Sequence, residues 1–68
     1  MNKIVKRFAN KIRQIRKEKS MSQGDVAKKL KVHRTYISGL ERGLQNPSLL
    51  TLNKIARVFK IKVDELIK

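Results

Sequence analysis

Side chains able to make or break bonds are few in this 68-residue chain, and they stand far apart. Asp25, Asp64 and Glu65 are too scattered to act as a general acid and base on one bond. His33 is the single histidine and there is no cysteine, so neither a metal cluster nor a Ser-His-Asp relay can be assembled. No Gly-rich loop is present to cradle phosphate. Neither an enzyme nor a cofactor, metal or small-molecule ligand is therefore expected. What the chain holds in excess is hydrogen-bond donors: 18 Lys and Arg against 5 Asp and Glu, a net charge of +13. That imbalance points to a polyanionic partner, nucleic acid first and an anionic membrane second.

The chemistry to look for is recognition by charge and hydrogen bonds, and the elements that hold its residues are legible. Ile4, Phe8, Ile12 and Ile15 fall on one helical face while Lys3, Lys6, Arg7, Lys11, Arg13 and Lys17 fill the rest, giving a first helix over roughly residues 3 to 18. Alone, such a basic amphipathic helix could lie on a membrane, but matching apolar stripes follow and favour a packed bundle. Ser22 with Asp25 three residues later is close to a capping box, and a second helix runs from about Gln23 to Leu30. A tight connection through residues 30–33 leads to a third helix starting near His33 or Arg34, with Gly43 as its stop. Asn46-Pro47 turns the chain away from helix. Ser48 then caps a fourth helix whose apolar face is Leu49, Leu52, Ile55, Ala56 and Phe59. A short fifth helix is expected within residues 61–68, where Asp64 and Glu65 suit the first-turn dipole. The fold class is all-α, a compact five-helix bundle in a single domain over residues 1–68.

No apolar run approaches the roughly 20 residues of a membrane span, and the N-terminal stretch lacks the apolar region of a signal peptide. A soluble cytoplasmic protein without a disulfide framework is the expectation.

Two short helices joined by a tight turn bury little unless they cross closely, which requires a small residue at the crossing. Ala27 supplies it. Val26, Leu30, Val32, Ile37 and Leu40 are then expected to point inward, leaving Gln23, Arg34, Thr35, Tyr36 and Ser38 outward. The third helix becomes a probe whose first turn enters a groove wide enough for a helix.

At this point the residues resemble the Cro and phage-repressor type (XRE family) of helix-turn-helix regulator. IRKEKSMSQ before the pair, LERG at its end, NPSLLTLNKIA after it and VFKIKVDELI at the tail extend the resemblance over about residues 8 to 67. RTYISGLERG is in addition similar to the recognition helix of controller proteins from restriction-modification systems. The resemblance implies a lambda-repressor-like fold and a homodimer that binds palindromic operator DNA to regulate transcription. An antitoxin-type or prophage regulator that also holds a protein partner is the alternative. Two positions depart from the pattern. Lys31 stands where Gly usually adopts a left-handed backbone, at a cost of about 1 kcal/mol unless the turn differs. Gly24 costs about 1 kcal/mol inside a helix relative to Ala.

Arg34 leads the candidates for base contact, because its planar fork matches the O6 and N7 acceptors of guanine; a phosphate contact is its other reading. Thr35 and Tyr36 follow, through a methyl or ring edge against thymine or through their hydroxyls, unless the Tyr36 ring instead covers the helix pair. Gln23 stands at a helix N-terminus, where N–H groups attract phosphate, and the resemblance gives its amide the same role. The resemblance also implies backbone contacts at Ser38, Asn46 and Thr51, each of which could equally be solvated. Gln45 could join them, and Asn46 could serve only the turn before Pro47. His33 is read as a helix start or a phosphate contact. Glu41 is an acid on a helix meant to meet a polyanion, so a structural partner is expected for it. The resemblance names that partner as Arg16, in a partly buried bidentate pair.

One recognition helix discriminates too little, at about 1 to 3 kcal/mol per good contact, so two copies are expected. Ile61, Val63, Leu66 and Ile67, with Leu44 or Leu50, are the residues available for a two-fold interface, unless they close the monomer core. Lys28, Lys29, Lys31 and Arg42 border the motif. The cations from Lys3 to Lys19 either form a solvated face or widen the field.

Overall fold

Each helix in the computed structural model of the chain, which describes residues 3–67, stops and starts where other groups replace the hydrogen bonds a helix end lacks. The elements are α1 (Lys3–Glu18), α2 (Gln23–Leu30), α3 (Arg34–Glu41), α4 (Leu49–Phe59) and α5 (Asp64–Ile67), with no strand among the described residues. The expected domain limits at residues 1 and 68 lie outside them.

Three starts are capped by side chains. Ser22 Oγ accepts the Asp25 N–H at 2.9 Å while Asp25 Oδ2 accepts the Ser22 N–H at 2.8 Å, a complete capping box with Asp in the usual place of Glu. Ser48 Oγ accepts the Thr51 N–H at 3.2 Å. His33 caps α3 through Nδ1, which accepts the Thr35 N–H at 3.2 Å.

The ends are more uniform than the sequence suggests. Ser20, Lys31, Gly43 and Lys60 all take positive φ (55, 61, 75 and 58°). The residue after each, namely Met21, Val32, Leu44 and Ile61, returns its N–H to a carbonyl five residues back, at 2.8 to 3.1 Å. All four of these residues are apolar, the Schellman pattern repeated four times. The turn at Lys31 therefore keeps the left-handed form: Lys31 adopts φ 61°, ψ 44° without the freedom of Gly and carries the strain.

The core is built from Phe8, Ile12 and Ile15 of α1, Val26 and Ala27 of α2, Ile37 and Leu40 of α3, Leu52, Ile55, Ala56 and Phe59 of α4, and Leu66 of α5. The third helix packs against α1 and α2, while α4 lies on α2 and α5 on α1. The radius of gyration is 10.6 Å, close to the about 11 Å of a compact chain this size. No helix among the described residues is long and apolar enough to cross a membrane.

Several apolar residues sit elsewhere than their pattern implies. Leu66, expected at a dimer interface, is 0% exposed: α5 folds back on α1 and drives this side chain into the monomer core. Ile61 and Val63 are half-buried against the same core, which leaves Ile67, 53% exposed, as the outward member of that set. Val32 was expected inward but is 38% exposed, because it follows the left-handed Lys31 and no longer shares the face of α2. Leu49 is 66% exposed at the first position of α4, one turn short of where that helix meets the core at Leu52. Ile4 likewise lies one turn outside the core residue Phe8.

Candidate nucleic-acid interface

The crossed pair α2–α3 is anchored to α1 by a charged cluster. Arg16 donates from Nε to Glu41 Oε2 at 2.6 Å and from Nη2 to Glu41 Oε1 at 3.0 Å, a fork-to-fork pair. Its remaining Nη1 donates to the Met21 carbonyl at 2.8 Å, so one side chain ties α1, the turn before α2 and α3 together. Gln23 Nε2 adds a third donor to the carboxylate, 3.2 Å from Oε1. The hydrogen bond to Glu41 holds the Arg16 guanidinium above its ordinary pKa; partial burial opposes that shift and the carboxylate's charge supports it. Glu41 is 8% exposed, and its charge is neutralised where a polyanion would otherwise be repelled.

Above that anchor, the first turn of α3 is open. Arg34 and Thr35 are exposed, as is the capping His33. The Arg34 stem runs along α2, with Cδ at 3.9 Å from where a Cβ on Gly24 would stand. Thr35 Oγ1 lies 2.8 Å from His33 Nδ1. Nδ1 also accepts the Thr35 N–H, which leaves Nε2 as the ring nitrogen that carries hydrogen. Thr35 offers a methyl and a hydroxyl. His33 offers an N–H donor at Nε2.

Tyr36, expected outward, is half-buried and packs on the core, so the crossing of α2 and α3 takes up much of its ring. Gln23, also expected outward, is half-buried with its amide on Glu41. Ser38 is half-buried in a recess lined by Arg13, Arg16, Gln23, Ser38, Glu41 and Arg42. Beyond α3, Gln45 and Asn46 are exposed, and the Gln45 stem rests on α3 where Gly39 has no side chain: a Cβ there would stand 3.2 Å from Gln45 Cγ. Thr51 is half-buried, its Oγ1 3.1 Å from Ser48 Oγ in the α4 cap.

The structure thus gathers Gln23, His33, Arg34, Thr35 and Ser38 around the α2–α3 crossing and leaves Gln45, Asn46 and Thr51 on the connection to α4. His33, read as a helix start, caps α3 although the usual Ser, Thr, Asp or Asn signature is absent. Two features were not anticipated. The seat of Gln45 on Gly39 depends on a loop path that no local pattern encodes. Arg13 joins the recess beside Arg42, and the signal for it was present: it precedes Arg16 by three residues, one turn along the same side of α1.

The family described as Helix-turn-helix matches residues 12–66, a span holding both crossed helices and the Arg16–Glu41 anchor. The chain belongs to this helix-turn-helix family. Among its relatives, the control protein C.MunI of a Mycoplasma species is 43% identical over 67 residues, covering 97% of this chain and 90% of that protein. The restriction-modification controller protein C.AhdI from Aeromonas hydrophila superposes with a TM-score of 0.87 at 34% identity, over 91% of this chain and 94% of that one. Restriction-modification controller C.Esp1396I, solved as a tetramer with its natural 35 base-pair operator, is 30% identical with a TM-score of 0.85 over 100% of both chains. Arg34 and Thr35 stand exposed at the first turn of the second helix of the pair, the part that in helix-turn-helix folds contacts base edges.

Proposed function

We propose that this chain is a sequence-specific transcriptional regulator that binds two-fold operator DNA as a homodimer, a single domain acting in the cytoplasm without catalysis of its own. The observation that carries the reading is the open first turn of α3, with Arg34 and Thr35 exposed on a helix fixed to α1 and α2 by the Arg16–Glu41 pair. Arg34 reads guanine through its fork and Thr35 meets a thymine methyl, while the partly exposed edge of Tyr36 supplements them. His33 donates from Nε2 to a phosphate. Gln23, Ser38, Gln45, Asn46 and Thr51 lie along the same strand as backbone contacts. The likeness to C.MunI, C.AhdI and C.Esp1396I supports a narrower role, control of restriction-modification gene expression from an operator.

Ile67, with Ile61 and Val63 at its margin and Leu44 or Leu50 beside the α4 start, supplies the apolar surface for the two-fold contact; Leu66 supports it from within the core. The test is selection of bound duplexes from random DNA, repeated with Arg34→Ala. A symmetric consensus that loses preference at one position of each half-site supports the reading. Equal binding to all duplexes and to heparin would leave only a non-specific polycation.

A further inference from the structure

The recess beside Ser38 brings two arginines, Arg13 and Arg42, to a surface whose carboxylate is already held by Arg16 and Gln23. Arg13 is not isolated. At 100° per residue, Lys6, Asn10, Arg13 and Lys17 fall within about 60° of one another around α1, and all four are exposed. That stripe contains no acid. It borders the side of α1 that carries Arg16, hence the side turned to α3.

The other polar flank of α1 has a different character. Centred about 90° further round the axis, it holds Lys3, Arg7, Lys11, Gln14 and Glu18. Lys11, Gln14 and Glu18 border a second recess with Ile61 and Glu65, and Asp64 adjoins Glu65 next to it. Of the five carboxylates in the chain, Asp25 is spent in the α2 cap and Glu41 in the anchor. The remaining three, Glu18, Asp64 and Glu65, all gather on this second flank. The charge of the molecule is therefore segregated: cations without acids on the side continuous with α3, and mixed charges on the side facing α5.

We infer that the Lys6–Arg13–Lys17 stripe of α1, continued by Arg42, is a phosphate-binding ridge that extends the DNA footprint beyond the helix-turn-helix, whereas the Lys3–Arg7–Lys11 flank contributes only to net charge. Eleven steps of 1.5 Å between Lys6 and Lys17 give the stripe a length of about 16 Å, room for several phosphates at 3.4 Å of axial rise each along one strand. The inference rests on the proposed DNA-binding role, since the ridge is placed by its continuity with the α3 surface. Phosphate contacts carry no base information, so the ridge strengthens binding to any duplex and leaves sequence preference unchanged.

The experiment compares two full-length variants that remove equal charge, Lys6→Gln/Arg13→Gln/Lys17→Gln and Lys3→Gln/Arg7→Gln/Lys11→Gln. Fluorescence anisotropy gives the slope of log Kd against log salt on a duplex selected from random DNA and on a shuffled one; thermal melting checks that both variants fold. Each lost phosphate contact lowers the slope by about 0.9. The ridge variant is expected to lose about 2 to 3 in slope on both duplexes, with the ratio of specific to non-specific affinity retained. The flank variant is expected to keep the wild-type slope. Arg42→Gln alone should lower the slope by about 0.9. Equal slope losses in the two triple variants, or none in either, overturn the ridge while leaving the DNA-binding reading intact. A wild-type chain that binds no duplex overturns both.

Discussion

Arg16 and Glu41 form a contact held by four hydrogen bonds: two between them, one from Arg16 to a backbone carbonyl and one from Gln23 to the carboxylate. Two charges largely removed from water gain little over an apolar pair of the same size, but either one left alone is costly. Glu41→Ala is therefore expected to destabilise the fold by about 3 kcal/mol in chemical denaturation, while Arg16→Met with Glu41→Leu restores most of the loss. A double variant as unstable as the single one would show that the pair contributes more than orientation. Gln23 couples this anchor to recognition, because the carboxylate that fixes Arg16 also holds the amide proposed to meet phosphate. Gly24 lies next to it without a matching need: a Cβ there would make only ordinary contacts, at 3.6 Å to Ser22 Oγ and 3.9 Å to Arg34 Cδ. Gly24→Ala should raise stability by up to about 1 kcal/mol with DNA affinity unchanged, measured by thermal melting and anisotropy.

Among the elements, the helix boundaries show which local rules hold and which are overridden. The Ser22–Asp25 box was legible from the sequence because both partners are three residues apart in one segment. Hydrogen bonds from Ser22, its backbone N–H foremost, hold the Asp25 carboxyl below its ordinary range. A lowered folded pKa means stabilisation that is complete above the unfolded value, near 3.8, and is lost as pH falls through the lower folded value. The melting temperatures of wild type and Asp25→Ala should accordingly differ at neutral pH and converge in strong acid; a constant gap across that range would remove the carboxylate from the explanation. The helix ends were less legible, since only Gly43 announces a left-handed residue. Ser20, Lys31 and Lys60 hold the same conformation because the apolar residue that follows each returns its N–H to the helix, the backbone bonds overriding the local preference against positive φ. Lys31→Gly and Lys60→Gly should each stabilise by about 1 kcal/mol in denaturant titrations.

For the whole molecule, the distribution of exposed apolar and charged surface decides what it can meet. A domain of this size buries only about 60% of its unfolded surface, so a second copy adds stability as well as recognition. Ile67→Asp places a charge on the outward side chain of α5 and should shift the chain from dimer to monomer in sedimentation equilibrium at micromolar concentration, with unchanged helicity. Dimerisation that survives it would move the contact to Leu44, Leu49 and Leu50.

Periodicity, caps and charge, all written within single segments, determined the five helices and pointed to a polyanionic partner. Burial and the meeting of distant segments were left to the tertiary structure. An apolar residue faces the core only if its turn of helix reaches a neighbour, so Leu66 went inside while Leu49 and Ile4 stayed out; Val32, past the left-handed Lys31, lost the face of α2. Tyr36 was drawn against the core and Gln45 found its seat on Gly39 by the same geometry, since each depends on how two elements approach and not on the spacing within either.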